Sequence, residues 1–263
     1  MAVATTQGRG LVIEEVYRLG GRRDGLGDGG GCTAHKRGGH LEDALAALRN
    51  LVQNHPDAAF GLDFPFGLPA PLVARDTWEE FALDFRKRFP TAEAMRQACL
   101  ARAGGAHLKR RTDEATAAPF SPYHPYLYRQ TFHGIGGVLA PLVETGEATV
   151  LPMQSSRRGV AWVMEICPAS TLKSRGLYRP PYRPYKGGDP AKAVARRRLL
   201  EAIVETGEVR LGRRDIADAV MADREGDALD SVVAAWATAR AVRSGACKRP
   251  PVWPGAVEGV ILV

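Results

Sequence analysis

The sequence lacks the short motifs that mark several large enzyme classes. It contains no Walker A phosphate loop, no G-x-S-x-G string and no H-E-x-x-H string. The missing phosphate loop disfavours an ATPase. A G-x-G-x-x-G string at Gly25, Gly27 and Gly30 is a weak match to a dinucleotide site, because no strand leads into it and more glycine follows it.

Cysteine is scarce, and long apolar runs are missing. The four cysteines are Cys32, Cys99, Cys167 and Cys247. Their wide spacing, without a C-x-x-C pair, predicts reduced thiols. Cys32, His35 and His40 resemble a soft-metal site only loosely, because tetrahedral zinc needs a fourth ligand. Since no apolar run approaches the ~20 residues that cross a bilayer and no signal pattern is present, we expect a cytoplasmic protein without a membrane partner.

Acidic residues are outnumbered by basic ones. The chain has 36 Lys and Arg against 29 Asp and Glu, a net charge of +7, which suggests a polyanionic partner. Its 263 residues, 45% hydrophobic and 25% charged, are ordinary for a globular α/β protein. We therefore predict a single domain over residues 1–263.

Three separated acidic sites stand out in this basic chain. Asp63 ends the apolar run 58–62, and Glu165 ends the β-rich run 160–164. Asp227 and Asp230 are three residues apart at the start of a long Ala/Val pattern, which places both on one helix face. Carboxylates at strand ends, faced by carboxylates on a helix, supply the oxygen ligands that Mg²⁺ and Mn²⁺ favour. We therefore predict a metal site of the kind that supports phosphodiester cleavage.

Each acidic site also has a simpler interpretation. Asp63 before Phe-Pro could open a turn. Glu165 could be a solvated strand end. Asp227 could be the N-cap of the last long helix, with Asp230 as its first-turn dipole partner. The order of strand acid, strand acid and helix acid pair favours the metal site over these separate interpretations.

The first third of the chain predicts a strand, a helix and a second strand. Residues 11–19 are typical of a strand, and residues 22–39 of a glycine-rich flexible stretch. Apolar residues at helical spacing over 41–54 predict a helix that crosses to the strand ending at Asp63. The two strands are then expected to form a parallel pair.

The rest of the chain predicts a helical insertion followed by further strands and helices. The insertion covers about 69–147, with helices capped by Thr77 and Thr91 and a third over 128–142. Residues 148–151 and 160–164 predict a hairpin pair. Asp189 and Pro190 then begin a helix that reaches residue 206.

Two basic regions could contact a polyanion. Arg110 and Asp113 could hold a phosphate, or they could pair with one another on the surface. The segment 173–186 interleaves arginine with tyrosine among prolines and includes Arg179, Arg183 and Lys186. Guanidinium groups neutralise phosphate and tyrosine rings stack on bases, so this composition suits single-stranded or distorted nucleic acid. The alternative is a Pro-rich loop whose rings pack locally.

Several strings along the chain have a specific order and spacing. They are D-F-P-F-G-L-P from Asp63, R-R-T-D from Arg110, S-P-Y and Y-R-Q-T-F within 121–132, E-I-C-P from Glu165, Lys186-Gly, and D-A-L-D-S-V-V-A-A-W from Asp227. On these strings the chain resembles a family of predicted RNase H-like nucleases catalogued as a domain of unknown function (429). The resemblance implies an α/β fold with an RNase H-like mixed sheet flanked by helices, and a divalent-metal nuclease site.

One feature departs from that family. Its members usually open with a strand of the G-V-D-x-x-G kind, whose aspartate is the central metal ligand, whereas here no acid precedes Glu14. In the RNase H layout this first strand lies between the second strand, here 11–19, and the strand that ends at Asp63. Its absence would leave unpaired backbone groups in mid-sheet, so we expect the first strand to be missing through truncation.

Two functions from different classes remain open. The first is a metal-dependent nuclease that uses Mg²⁺ or Mn²⁺ on Asp63, Glu165, Asp227 and Asp230. The second is a catalytically inactive RNase H-like module that binds nucleic acid or regulates another protein. An upstream in-frame segment that encodes a strand with an aspartate would favour the nuclease.

Overall fold

The computed structural model describes residues 1–8, 10–17, 37–249 and 256–263, without the side chains of 37–40 and 256. Most of the glycine-rich stretch 22–39, for which the sequence predicts flexibility, lies outside this description. The side chains of Cys32, His35 and His40 also lie outside it. The described residues form an α/β protein with mixed sheets flanked by helices. No helix among them is both long and apolar enough to cross a membrane.

Two sheets form the framework. The strands are β1 (Ala2–Gln7), β2 (Gly10–Val16), β3 (Ala59–Leu62), β4 (Ala148–Leu151), β5 (Ala161–Ile166), β6 (Val209–Leu211) and β7 (Ile261–Leu262). In the first sheet β2 pairs antiparallel with β1 and parallel with β6. In the second, β5 pairs in parallel with β3, β4 and β7. The carboxyl ends of β3 and β5 therefore lie at the same edge.

The helices flank these sheets. They are α1 (Arg37–Gln53), α2 (Trp78–Arg88), α3 (Ala92–Arg102), α4 (Arg111–Ala115), α5 (Tyr128–Gly134), α6 (Ala140–Thr145), α7 (Pro168–Ser174), α8 (Pro190–Glu205), α9 (Arg214–Ala222) and α10 (Asp227–Ser244). Thr77 and Glu80 form the predicted capping box of α2, Thr91 caps α3 and Asp189 caps α8. A π-helical turn, Ile135–Leu139, joins α5 to α6. The helical character predicted for 69–147 is confirmed.

The beginning of the chain contains a strand that the sequence patterns missed. β1 pairs antiparallel with β2 over its whole length, and Gly8 follows it with a left-handed φ of 57°. The residues of β1 are small or polar and mostly exposed, so they give no apolar pattern. In β2, by contrast, Leu11, Val12 and Ile13 are buried, which is why that strand could be predicted.

The predicted parallel pair between residues 11–19 and the strand ending at Asp63 is wrong. β2 pairs with β6 and β3 pairs with β5, so the two strands belong to different sheets. α10 packs against both sheets, contacting β1 and β2 in one and β3 and β5 in the other. Among the described residues β1 has β2 as its one paired strand and β3 has β5, so no hydrogen-bonded strand connects β2 to β3 there.

The predicted hairpin between 148–151 and 160–164 is also wrong, because β4 and β5 run parallel. The connection after β4 runs back alongside β4, so that β5 begins beside the start of β4 and not beside its end. The N–H of Gln154 donates to the carbonyl oxygen of Val150 at 2.9 Å. The side-chain oxygen of Gln154 in turn accepts a hydrogen bond from the N–H of Val150 at 2.8 Å. Arg157 then donates to the carbonyl oxygen of Ala148 at 3.1 Å. These contacts bring the chain back to the start of β4, so β5 begins in parallel.

Gly61 sets how closely β3 lies against α10. A Cβ placed on Gly61 would lie 1.9 Å from Oγ1 of Thr238 and 2.7 Å from Cγ1 of Ile166. Because a packed interior yields little, we expect Gly61→Ala to lower the free energy of unfolding by about 1–3 kcal/mol. Chemical denaturation measures the change, with Gly188→Ala as control, since its Cβ would meet no atom closer than 3.5 Å. Equal stability of the two variants would contradict the close packing.

Candidate functional site

The first turn of α10 carries two of the predicted acids. Gly226, with a left-handed φ of 79°, is the N-cap of α10, so the alternative role of Asp227 as the cap is wrong. The side chain that binds the helix start is Asp223, whose Oδ2 accepts a hydrogen bond from the N–H of Ala228 at 2.7 Å. The Asp227 side chain is 77% exposed, whereas that of Asp230 is 14% exposed. Neither the Asp227 carboxylate nor the Asp230 carboxylate therefore caps α10.

Asp63 follows β3, and its carboxylate interacts electrostatically with the two acidic side chains of α10. Its pKa is raised from 3.8 to about 7, first by desolvation and then by the carboxylates of Asp230, Glu165 and Asp227, while Lys186 opposes the shift. Asp63 nevertheless keeps an exposed surface, so its carboxylate can be reached from solvent. We call Asp63, Asp227 and Asp230 the acid group.

Lys186 and Tyr185 bind the acid group from the segment before α8. Nζ of Lys186 lies 2.6 Å from Oδ2 of Asp230 and 3.8 Å from Oδ1 of Asp227. The hydroxyl of Tyr185 donates to Oδ1 of Asp230 at 2.6 Å. Partial burial lowers the pKa of Lys186, but the carboxylates of Asp230, Asp227 and Asp63 outweigh it and raise that pKa overall. An ammonium cation therefore lies where the negative charge is concentrated.

Arg196 of α8 holds the backbone that carries these two side chains. Its side chain is buried, and its guanidinium donates to the carbonyl oxygens of Tyr185 at 2.6 Å and Met221 at 3.2 Å. Gly226 allows the start of α10 to approach the same backbone, because a Cβ there would lie 2.9 Å from Cγ of Lys186. The position of the Lys186 ammonium is thus determined by α8 and α10 together.

Glu165, the remaining predicted acid, belongs to a buried ion-pair network. Its Oε1 accepts from Nη2 of Arg110 at 2.5 Å, and its Oε2 accepts from Nη1 of Arg110 and from the N–H of Phe66, both at 2.9 Å. Arg110 also donates to both carboxylate oxygens of Asp113, at 2.7 and 3.0 Å, and to the carbonyl oxygen of Glu258 at 3.0 Å. The Arg110, Asp113 and Glu165 side chains are at most 2% exposed.

This network decides between the two alternatives for Arg110 and Asp113. They pair with one another, and the pairing lies in the interior and not on a solvated surface. Burial disfavours the charged guanidinium, but Glu165 and Asp113 outweigh that effect and raise the pKa of Arg110. All five guanidinium N–H groups have acceptors within the protein, so the network ties β5, α4 and the C-terminal residues together.

The segment 173–186, which we call the Arg/Tyr segment, combines local packing with exposed charge. The guanidinium of Arg183 lies 3.7 Å from the centroid of the Tyr178 ring and 5.6 Å from that of Tyr185. Arg179 is exposed and donates to the carbonyl oxygen of Gly176 at 3.1 Å. Both the packed-loop interpretation and the binding interpretation therefore have support in this segment, which ends at the acid group through Tyr185 and Lys186.

The acidic side chains of the site can be compared with the ligands that a divalent cation requires. No three histidine, cysteine, aspartate or glutamate side chains in the described ranges stand close enough together to hold a metal ion. Glu165 gives both its oxygens to Arg110. Asp63, Asp227 and Asp230 nevertheless supply hard oxygen donors, and the carboxylates of Asp230 and Asp227 add to the desolvation that raises the pKa of Asp63. The acid group therefore fits a divalent ion in its donor chemistry, with Lys186 as the competing cation.

The raised pKa of Asp63 predicts how an isosteric neutral replacement changes stability with pH. The folded protein keeps the Asp63 proton up to about pH 7, whereas the unfolded chain loses it near 3.8, so the carboxyl destabilises the fold increasingly as the pH rises through that interval. We expect Asp63→Asn to raise the melting temperature at about pH 8 and to change it little at about pH 4. Melting curves at both pH values test this, and an equal shift at both would contradict the raised pKa of Asp63.

Two residues of the site were missed by sequence reasoning. Glu258 binds the N–H groups of Ala70 and Arg111 through its carboxylate, at 2.6 and 2.9 Å, and no motif surrounds it. Arg196 lies in a run of three arginines, and its burial could have been inferred only from its spacing of three residues from Leu199 on one face of α8.

Comparison with known families gives a match over most of the chain. The family described as "Protein of unknown function (DUF429)" matches residues 24–255. This agrees with the resemblance carried by the sequence strings. Searches of curated proteins and of solved structures gave no significant match.

Proposed function

The chain belongs to that family of unknown function, and from the acid group we propose that it is a divalent-metal-dependent nuclease of RNase H-like fold. The observation that carries the proposal is the raised pKa of Asp63 at the carboxyl end of β3, about 7, which results first from desolvation and then from the carboxylates of Asp230 and Asp227 on α10. Ligand sites in α/β proteins commonly lie beyond the carboxyl ends of parallel strands. Crowded carboxylates in such a place are typical of functional sites.

In this proposal each residue has a defined part. Asp63 and Asp230 would hold Mg²⁺ or Mn²⁺, with Asp227 at the exposed rim, and the bound ion supplies a means to activate water and to stabilise a leaving oxygen. Lys186 balances the negative charge and lies where it can contact a phosphate. Tyr185 orients Asp230 through its hydrogen bond. Glu165 is reassigned from metal ligand to the partner of Arg110, which holds the end of β5 in place.

A second function is favoured by one observation. The ammonium of Lys186 already neutralises Asp230 at 2.6 Å, which is the arrangement expected if the site has become a binding site without catalysis. In that case the protein is a nucleic-acid-binding module that keeps the RNase H-like fold.

Nuclease assays separate the two functions. Single-stranded, duplex and branched DNA and RNA are incubated with the protein and Mg²⁺ or Mn²⁺, with and without EDTA. We expect cleavage of at least one substrate that requires the ion and stops with EDTA. Cleavage that survives EDTA, or binding without cleavage of any substrate, would favour the binding module.

The Arg/Tyr segment predicts a salt dependence of binding. Each phosphate that Arg179 or Arg183 neutralises on a single strand contributes about −0.7 to the slope of log affinity against log salt concentration. We expect the double variant Arg179→Ala/Arg183→Ala to flatten that slope. The slope is measured by oligonucleotide titrations in EDTA over a range of salt, and an unchanged slope would assign the segment to local packing alone.

A further inference from the structure

Four aromatic side chains form an exposed cluster between α3 and α5. They are His107, Phe120, His124 and Tyr126, and we call them the ring platform. The Phe120 and His124 rings stack with centroids 4.4 Å apart, and Tyr126 lies 5.7 and 5.2 Å from them. Tyr126 is 80% exposed and Phe120 is 36% exposed. The platform therefore presents aromatic faces to solvent.

Two lysines hold the loop that carries Phe120. Nζ of Lys109 donates to the carbonyl oxygen of Ala118 at 2.7 Å, and Nζ of Lys173 donates to that of Ala117. Ala117 has a left-handed φ of 52°, which a residue with a Cβ rarely adopts unless its surroundings hold it. The two cations thus fix the loop and also add positive charge beside the rings.

A line of alternating cations and rings leads from the platform to the acid group. Lys173 lies 4.9 Å from the centroid of the Tyr178 ring, and the guanidinium of Arg183 lies 3.7 Å from the same centroid. Arg183 also lies 5.6 Å from the ring of Tyr185, which donates its hydroxyl hydrogen to Asp230. The contacts are therefore continuous from the Phe120 loop to the proposed metal ligands.

We propose that the ring platform stacks on the bases of a single-stranded nucleic acid whose backbone follows this line to the acid group. In a duplex each base face is covered by its neighbours, so only an unpaired strand can use the exposed rings. The cations Lys173 and Arg183 would neutralise phosphates of such a strand, while Tyr185 is buried and acts through its hydrogen bond to Asp230. The inference rests on the proposed nuclease function and adds to it the single-stranded class of substrate.

Ring removal tests the inference through binding, independently of cleavage. Affinities are measured in EDTA by fluorescence anisotropy, with labelled single-stranded DNA and RNA, an abasic strand of equal charge, and a duplex. We expect Phe120→Leu/Tyr126→Leu to weaken binding of the base-containing single strands at least about fivefold per ring. Binding of the abasic strand and of the duplex is expected to stay the same, as is the salt slope, because no phosphate contact is removed.

The matched control keeps the rings. Phe120→Tyr/Tyr126→Phe is expected to bind like the unchanged protein, and thermal melting checks that both double variants are folded. Equal affinity of the leucine variant for the base-containing strands, an equal loss on all four ligands, or no binding of any oligonucleotide would overturn the inference. Metal-dependent cleavage, together with unchanged affinity of the leucine variant, would contradict only this inference. Weaker binding by the leucine variant, without cleavage of any substrate, would contradict only the nuclease proposal.

Discussion

Asp230→Asn is expected to reduce metal-dependent cleavage more than about 100-fold while leaving nucleic-acid affinity in EDTA almost unchanged. Loss of an outer partner of a metal ligand costs about 10–100-fold in activity, and loss of a ligand costs more. The replacement keeps the shape of the side chain and its hydrogen bond with Tyr185, but it removes the charge that pairs with Lys186 and that, in the proposed function, would hold a divalent ion. Initial rates at saturating substrate measure the effect.

The matched control is Asp218→Asn, the same chemical change at an exposed position on α9. Cleavage by this variant should equal that of the unchanged protein. Asp227→Asn should lie between the two, because Asp227 is largely exposed and lies 3.8 Å from Lys186. A rate for Asp230→Asn within a factor of about three of the control, well below the effect of an outer partner, would remove Asp230 from the site.

Arg110→Met is expected to lower the free energy of unfolding by about 3–5 kcal/mol. The variant leaves the Asp113 and Glu165 carboxylates buried without their cation, and it removes the hydrogen bond to the carbonyl oxygen of Glu258. The loss should shrink as the pH falls, because protonation then relieves the two buried negative charges. Urea denaturation at about pH 8 and pH 5 measures both effects.

An exposed ion pair provides the control for Arg110. Arg129 and Glu93 lie 2.9 Å apart with both side chains more than half exposed, so Arg129→Met should change stability by less than about 1 kcal/mol. Similar effects of the two variants would contradict a structural role for the buried network. A large loss of cleavage by Arg110→Met without loss of stability would return Arg110 to the substrate-binding residues.

Local sequence signals predicted most of the helices because their caps are built from neighbouring residues. Thr77 with Glu80, Thr91, and Asp189 each act within one turn, and all three caps are present. Strand pairing depends on contacts far apart in the chain. β2 pairs with β6, almost 200 residues away, and β4 and β5 are parallel because Gln154 and Arg157 turn the chain back along β4. No short-range pattern contains that information.

The candidate site likewise has features that local sequence patterns predict and features that depend on contacts far apart in the chain. Spacing placed Asp227 and Asp230 on one face of α10, and the apolar run before Asp63 placed that residue directly after β3, as the structure has them, whereas Glu165 is the penultimate residue of β5 and not its tip. What separates Glu165 from the acid group is Arg110, which reaches it across 55 residues of sequence. The role of a carboxylate depends on which cation arrives beside it, and that is a property of the folded chain.

Binding of Mn²⁺ tests the acid group most directly. Isothermal titration calorimetry at about pH 7, in two buffers of different ionisation enthalpy, reports both the binding of the ion and the protons released. We predict one saturable Mn²⁺ site with release of part of a proton, because the pKa of Asp63 is about 7 and ligands must be deprotonated to bind. Asp63→Asn and Asp230→Asn should each abolish that site. Absence of Mn²⁺ binding to the unchanged protein, or equal binding by both variants, would contradict a metal site built on these two residues.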